Sequence, residues 1–402
     1  MSTHTQPILG KKGLFLLLLI LGMTAPLSID MYLAAFPLIL EELATTPQML
    51  SFTLIGFTLC MAISMLFMGT LSDKFGRKKV LFFSLITYIL GSLGCVFTPS
   101  IEFFIASRML QAIGAGGMVS VPMAVVKDSF DNEERTNMIA TLQMFTVLGP
   151  TIAPILGAYL IKVFPWQASF VVLALIATIS IILTFCLRET LPPEKRLQGN
   201  VFQSILSLGI VLRHQPFMSF LGSTAMVTIV FMGYLSLSSY IYIQWFGLSE
   251  TTFSYFFAFN SLLLIAAPKL YVLIKPRFRP AVILKTTVAV VLVASLLTAS
   301  IGQTSPYVFL VCFAPVALSS SFLRAFVTDM LLAQSGLNAG AVVSTISFTN
   351  VALGAVGMLV ANSFTGYNFV LVLGMMGITV GILSALQIWR FTAKGLLIEG
   401  YR

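Results

Sequence analysis

The sequence predicts an all-α membrane protein of twelve transmembrane helices, arranged as two sets of six. Three observations carry that expectation: too little charge for a water-facing surface, apolar runs of bilayer-spanning length, and a one-sided placement of Lys and Arg. Of the 402 residues, 58% are hydrophobic and 9% are charged, whereas soluble domains carry about 25% charged residues. The mean hydropathy is +0.98. A soluble fold would have to hide runs such as 13–29 and 288–301 in a core of ordinary size. The 34 Phe, 29 Gly and 19 Met suit lipid-facing and helix-contact surfaces instead.

A bilayer core of about 30 Å takes about 20 apolar residues per helix. On that measure the spans fall near 14–36, 49–69, 80–98, 102–126, 137–161 and 167–187, then 217–243, 251–273, 281–301, 306–328, 341–362 and 367–389. The first span follows Lys11 and Lys12, as a signal peptide's apolar region would. It has no small-residue cleavage site and is expected to stay as a helix. Pro268 and Lys269 interrupt the eighth span, and Arg324 sits in the tenth. The long polar stretch around Pro192, Pro193, Glu194, Lys195 and Arg196 divides the chain. The expected organisation is a six-helix bundle over 1–187, a central loop over 188–214 and a second bundle over 215–402. Transporters built from repeats have this architecture, with the substrate site expected between the halves.

Orientation follows from Lys and Arg. With the N-terminus inside, Lys74, Arg77, Lys78 and Lys79 share one inner loop, and Arg188, Lys195, Arg196 and Arg213 another. Lys275, Arg277, Arg279 and Lys285 form a third, and Arg390, Lys394 and Arg402 close the chain. The outer segments hold only Lys162, beside Glu41, Glu42, Glu102 and Glu250. Both termini are therefore expected in the cytoplasm. The net charge of +9 is accounted for by this topology, so no nucleic-acid partner is expected. Cys60, Cys95, Cys186 and Cys312 show no metal-ligand spacing, and His4 and His214 are the only histidines. No metal, cofactor or enzymatic nucleophile is expected.

Charges inside a bilayer cost at least about 2.5–3.5 kcal/mol each, so each one calls for a function. Asp30 is the deepest acid, well inside the first apolar run. A desolvated carboxyl there can load and release a proton as access alternates. Arg108 in the fourth span is its expected counterpart. A guanidinium stays charged, so Arg108 either tunes a nearby acid or takes part in substrate binding. Tyr32, Gln111, Tyr234, Tyr240, Asn260 and Asn350 are polar groups within spans, read as cavity-lining or as helix-contact hydrogen bonds. Arg324, near Asp329, either snorkels to the interface or faces the cavity.

Two further clusters stand out. Gly69, Asp73, Gly76, Arg77 and Lys78 form a basic loop around a lone acid, with Asp128 as an expected partner of Arg77. That set reads as a conformational latch. In the fifth span Gly149, Pro150, Pro154 and Gly157 place two prolines four residues apart between glycines. The prolines remove backbone donors and the glycines allow tight packing, as in a hinge or interface helix.

At these residues a resemblance enters. Gly69, Leu71, Asp73, Gly76, Arg77 and Lys78 resemble the loop signature of the major facilitator superfamily. Arg108, Gln111 and Gly114 resemble its fourth-helix pattern, with Ala112 where a glycine is usual. Gly149, Pro150 and Gly157 are similar to the fifth-helix motif of its proton-driven drug exporters. The run from Ile29 to Pro37 resembles the bicyclomycin-resistance (Bcr/CflA) group, departing at Ala34, and 164–167 and 188–191 fit the same group. The likeness is dense through residue 191 and thin afterwards. It implies the major facilitator fold and export coupled to inward proton flow, with Asp30 as coupling acid and Arg108 as its polar partner.

The expected function is proton-coupled export of small amphipathic compounds such as antibiotics across a bacterial inner membrane. The expected protein is a monomer whose partners are its substrate, protons and the lipid bilayer. The alternative is a dedicated exporter of an endogenous metabolite such as an anionic siderophore. A channel or membrane enzyme lacks a charged pore ring, metal ligands or a nucleophile constellation.

Overall fold

A computed structural model of the chain describes residues 6–130, 132–196, 198, 215–332, 334, 339–364, 368–395, 398 and 400–401. Among them every long element is a helix and there is no strand. Packing divides the chain into two compact units, Met1–Leu206 and Ser207–Arg402.

In the first unit α1 (Gly10–Asp30) stops at Asp30. A 3-10 turn at Leu33–Ala35 follows, and α2 (Phe36–Glu42) resumes with Pro37 in its first turn. Proline at that point forgoes a donor that a helix start leaves unpaired anyway. Together these pieces make one span of 33 residues, Gly10–Glu42, broken directly after its acid. Next come α3 (Pro47–Phe75), α4 (Arg77–Val96), α5 (Ile101–Ser129), α6 (Asn132–Val163) and α7 (Ala168–Cys186). Thr46 caps α3 by accepting from the Met49 amide, and Ser100 caps α5 by accepting from Phe103. Such side-chain caps occupy amides that a helix start leaves without partners.

The second unit opens with α8 (Gln215–Ala225) and α9 (Val227–Ser239), continued by a π-helical turn at Tyr240–Trp245. Then follow α10 (Glu250–Ile274), α11 (Pro280–Ile301), α12 (Pro306–Leu332), α13 (Ala339–Asn362) and α14 (Phe369–Ala393). Pro268 does not interrupt the eighth span; α10 runs through it. The Leu264 carbonyl that Pro268 leaves without a helix donor accepts from the Ser321 hydroxyl at 2.8 Å, the way membrane helices tolerate proline.

Eleven of these segments are long and apolar enough to cross a membrane among the described residues. The twelfth is α6, a single helix of 32 residues whose described apolar stretch is Ile152–Val163. The all-α, twelve-span expectation therefore holds. Of the central loop expected over 188–214, residues 188–196 and 198 are described; Arg213 and His214 lie outside the described residues.

Candidate functional site

The break after α1 places Asp30 inside the first unit, 2% exposed. Its Oδ1 has no hydrogen-bond partner, and it forms no ion pair among the described residues. Arg108, from the third turn of α5, is fully buried. It does not pair with Asp30. Its Nη2 donates to the Ser28 carbonyl at 3.0 Å, and its Nη1 donates to Gln111 Oε1. Aromatic faces supply the rest of its compensation: the guanidinium lies 4.1 Å from the Phe57 ring centroid, 4.6 Å from Tyr32 and 5.6 Å from Phe170. Cation–π contacts strengthen when desolvated. The expected charge pair is thus two separate features, a cation held by rings and carbonyls and a carboxyl without a cation.

The remaining polar groups lock this framework. Gln111 donates to Ser92 at 2.8 Å. Ser28 shares a hydrogen bond with Tyr88, and Tyr32 with Thr53 at 2.8 Å. Tyr32 packs edge-on against Phe104, which in turn meets Trp166 and Phe170. Tyr32 and Gln111 are buried groups that join helices of one bundle.

The loop between α3 and α4 is a second constellation. Arg77 reaches Asp73 at 2.6 Å and Asp128 at 2.9 Å, and its Nη1 donates to Ser72 at 2.6 Å. Gly76 turns the chain with φ +100°, a left-handed conformation that costs glycine least. Gly69 has room beside it, the nearest neighbour of an added Cβ being Ser120. Lys78 donates through its Nζ to the Phe185 carbonyl at 2.8 Å.

Glu189, to which sequence reasoning assigned no role, completes this loop. Its carboxylate accepts from the Arg77 and Lys78 amides at 2.9 and 3.2 Å, and from Thr190 and Leu191. It therefore caps α4 from beyond α7, favourably placed at the positive end of the helix dipole. The only signal for it was the quoted run 188–191. Losing a cap costs about 0.5–2 kcal/mol, so Glu189→Ala should lower the thermal midpoint of the purified protein by a few degrees. An unchanged midpoint would show that the cap is dispensable.

The glycines of α6 bring it against the broken first span. A Cβ on Gly149 would lie 2.5 Å from Pro26 Cβ, and one on Gly157 would overlap the Met31 carbonyl. Pro154 is buried; the Pro150 side chain lies outside the described residues.

In the second unit Tyr234 accepts from Asn260 Nδ2 at 3.1 Å and stacks on Phe313 at 4.5 Å. Tyr240 stacks on Phe369. All three polar residues are buried in helix contacts of this unit. Asn350 accepts from Thr228 at 2.9 Å and donates to the Ile346 carbonyl. Asn350 and Arg324 share one narrow crevice with Thr224, Thr228 and Ser320. Asp329 accepts from Lys275 at 2.7 Å and from the Tyr271 hydroxyl.

The sequence profile of the Major Facilitator Superfamily matches residues 18–362. The chain belongs to that superfamily. Its eleven long apolar helices among the described residues are those of a multi-pass membrane protein of that superfamily. It is 32% identical over 263 residues to the uncharacterized MFS-type transporter YdgK of Bacillus subtilis, covering 64% of this chain and 65% of that protein. It is 28% identical over 261 residues to a bicyclomycin resistance protein homolog of Haemophilus influenzae, covering 64% and 66%. The multidrug resistance protein MdtL of Klebsiella pneumoniae is 27% identical over 274 residues, covering 67% and 68%. The match spans just under two thirds of the length of the first two relatives. Among solved superfamily structures, the peptide transporter POT aligns with a TM-score of 0.73 at 15% identity, covering 98% of both chains. The xylose transporter XylE from E. coli aligns at 0.70 and 12% identity, covering 94% of this chain and 97% of the other. Those likenesses concern the fold.

Proposed function

We propose that this superfamily member is a proton-coupled antiporter that exports small amphipathic compounds such as antibiotics by alternating access. The observation that carries the reading is Asp30: a buried carboxyl with no ion-pair partner among the described residues, at a break in its helix. Because no cation is tied to it, taking up a proton breaks no salt bridge, and both protonation states are open to it. The buried Arg108, already compensated by rings and carbonyls, supplies a fixed positive field without competing for the proton. The Arg77 cluster acts as the latch that holds one conformation, and α6 as the interface helix against the first span. The drug-resistance names of the relatives support the cargo class.

The protein works in a bacterial inner membrane with both termini in the cytoplasm, as its Lys and Arg placement supports, and it works as a monomer. Each proton entering supplies about 1.4 kcal/mol per pH unit and about 2.3 kcal/mol per 100 mV. The test is the purified chain in proteoliposomes with a fluorescent amphiphile and an imposed pH gradient. Substrate movement should follow the gradient, collapse with a protonophore, and be matched by proton movement in the opposite direction. Transport indifferent to the gradient would overturn the reading.

A further inference from the structure

We propose that Arg324 and the crevice beside it recognise a carboxylate, so that the favoured cargo is an amphipathic acid. The inference deepens the export reading and rests on it for the direction of transport, but not for binding. Arg324 lies eight residues before the end of α12, about 12 Å along the helix. It is exposed despite its place in an apolar segment. Ser320 and Arg324, four apart and so on one face of α12, both line the crevice, whose other wall is Thr224, Thr228 and Asn350 from α8, α9 and α13. Arg324 thus lines a crevice between helices of its own unit.

An inventory of donors and acceptors sets the chemistry. Arg324 forms no ion pair among the described residues. The acids of residues 215–402 are Glu250, Asp329 and Glu399. Glu250 heads α10, Asp329 is engaged by Lys275 and Tyr271, and Glu399 lies outside the described residues. Asn350 Oδ1 accepts from the Thr228 hydroxyl, and the Thr224 hydroxyl donates to the Phe220 carbonyl of its own helix. Three groups with N–H or O–H to give stay open. The guanidinium fork, the Ser320 hydroxyl, which has no partner among the described residues, and the second N–H of Asn350 face a space with room for one small group. A cation with no acid paired to it among the described residues, beside groups that can donate, selects an anion and repels an ammonium group. The planar fork matches a carboxylate bidentately.

The test is equilibrium binding to the purified full-length chain in detergent, with no gradient. The probes are benzoate, 1-naphthoate, 1-pyrenebutyrate and deoxycholate, each compared with its methyl ester. At least one acid should bind about tenfold or more tighter than its ester. Arg324→Gln should bring that ratio to about 1, and Arg324→Lys should keep part of it. Ser320→Ala, a milder change, should lower acid affinity a few-fold in protein that stays monodisperse. A ratio near 1 for all four pairs in the wild type would overturn the proposal, as would a ratio unchanged by Arg324→Gln. Displacement of every acid by short-chain phosphatidylglycerol, with no acid preferred over its ester, would assign the crevice to a lipid headgroup and overturn it too. An Arg324-dependent preference without gradient-driven export would remove the coupling mechanism alone.

Discussion

Asp30→Asn is expected to reduce gradient-driven export on the order of 100-fold or more, the low end of what removing a positioned proton carrier costs. Asparagine keeps the shape of the side chain and cannot load a proton. Gradient-independent exchange of substrate across the proteoliposome membrane should persist within a few-fold, because the substitution leaves every other side chain unchanged. Thermal stability separates this from a structural role. An acid whose Oδ1 has no partner in a buried site is a cost to the fold when charged, so the neutral amide should leave the midpoint equal or higher. A lowered midpoint with export lost in proportion would make Asp30 a structural residue. Full proton-driven export by the variant would end the mechanism proposed.

Gly157→Ala should be the most damaging single methyl group in the first unit. The added Cβ would overlap the backbone carbonyl of Met31, and a carbonyl held by a helix break has nowhere to rotate. Overpacking of this kind costs about 1–3 kcal/mol, and here the strain falls on the residue directly after Asp30. Both a drop of several degrees in the thermal midpoint and a loss of export are expected. Gly222→Ala is the control. Its Cβ would rest 3.5 Å from Gln387 Oε1, an ordinary contact, and alanine is favoured over glycine in a helix interior by about 1 kcal/mol. Equal midpoints for the two variants would show that α6 yields to the first span at no cost.

The spans were legible because nearly all are long apolar runs, a local property that needs no knowledge of neighbours. The loop of Arg77 was legible for a similar reason, since Asp73 lies only four residues from it. What surrounds Arg108 was not. Reading charges along the chain pairs it with the nearest deep acid, yet its compensation comes from ring faces on three other segments, Tyr32, Phe57 and Phe170. Nothing in those residues' own neighbourhoods marks them as neighbours of a cation. The contact of Gly157 with Met31 was hidden in the same way. The motif marked the glycine but not what it touches. Arg324 shows the converse: its sequence context allowed snorkelling or a cavity role, and the crevice favours the second by the face it shares with Ser320.

The cap on α4 has a consequence for how the protein is made. Glu189 follows Arg77 by 112 residues, so the ribosome delivers the helix start long before the carboxylate that closes it. At 5–20 residues per second the interval is roughly 6 to 22 s. Throughout it the Arg77 and Lys78 amides lack this acceptor, and the loop is completed only after α7 has been synthesised. The capped loop is therefore a mark of completed synthesis of the first bundle, placed where a nascent chain halted early cannot acquire it.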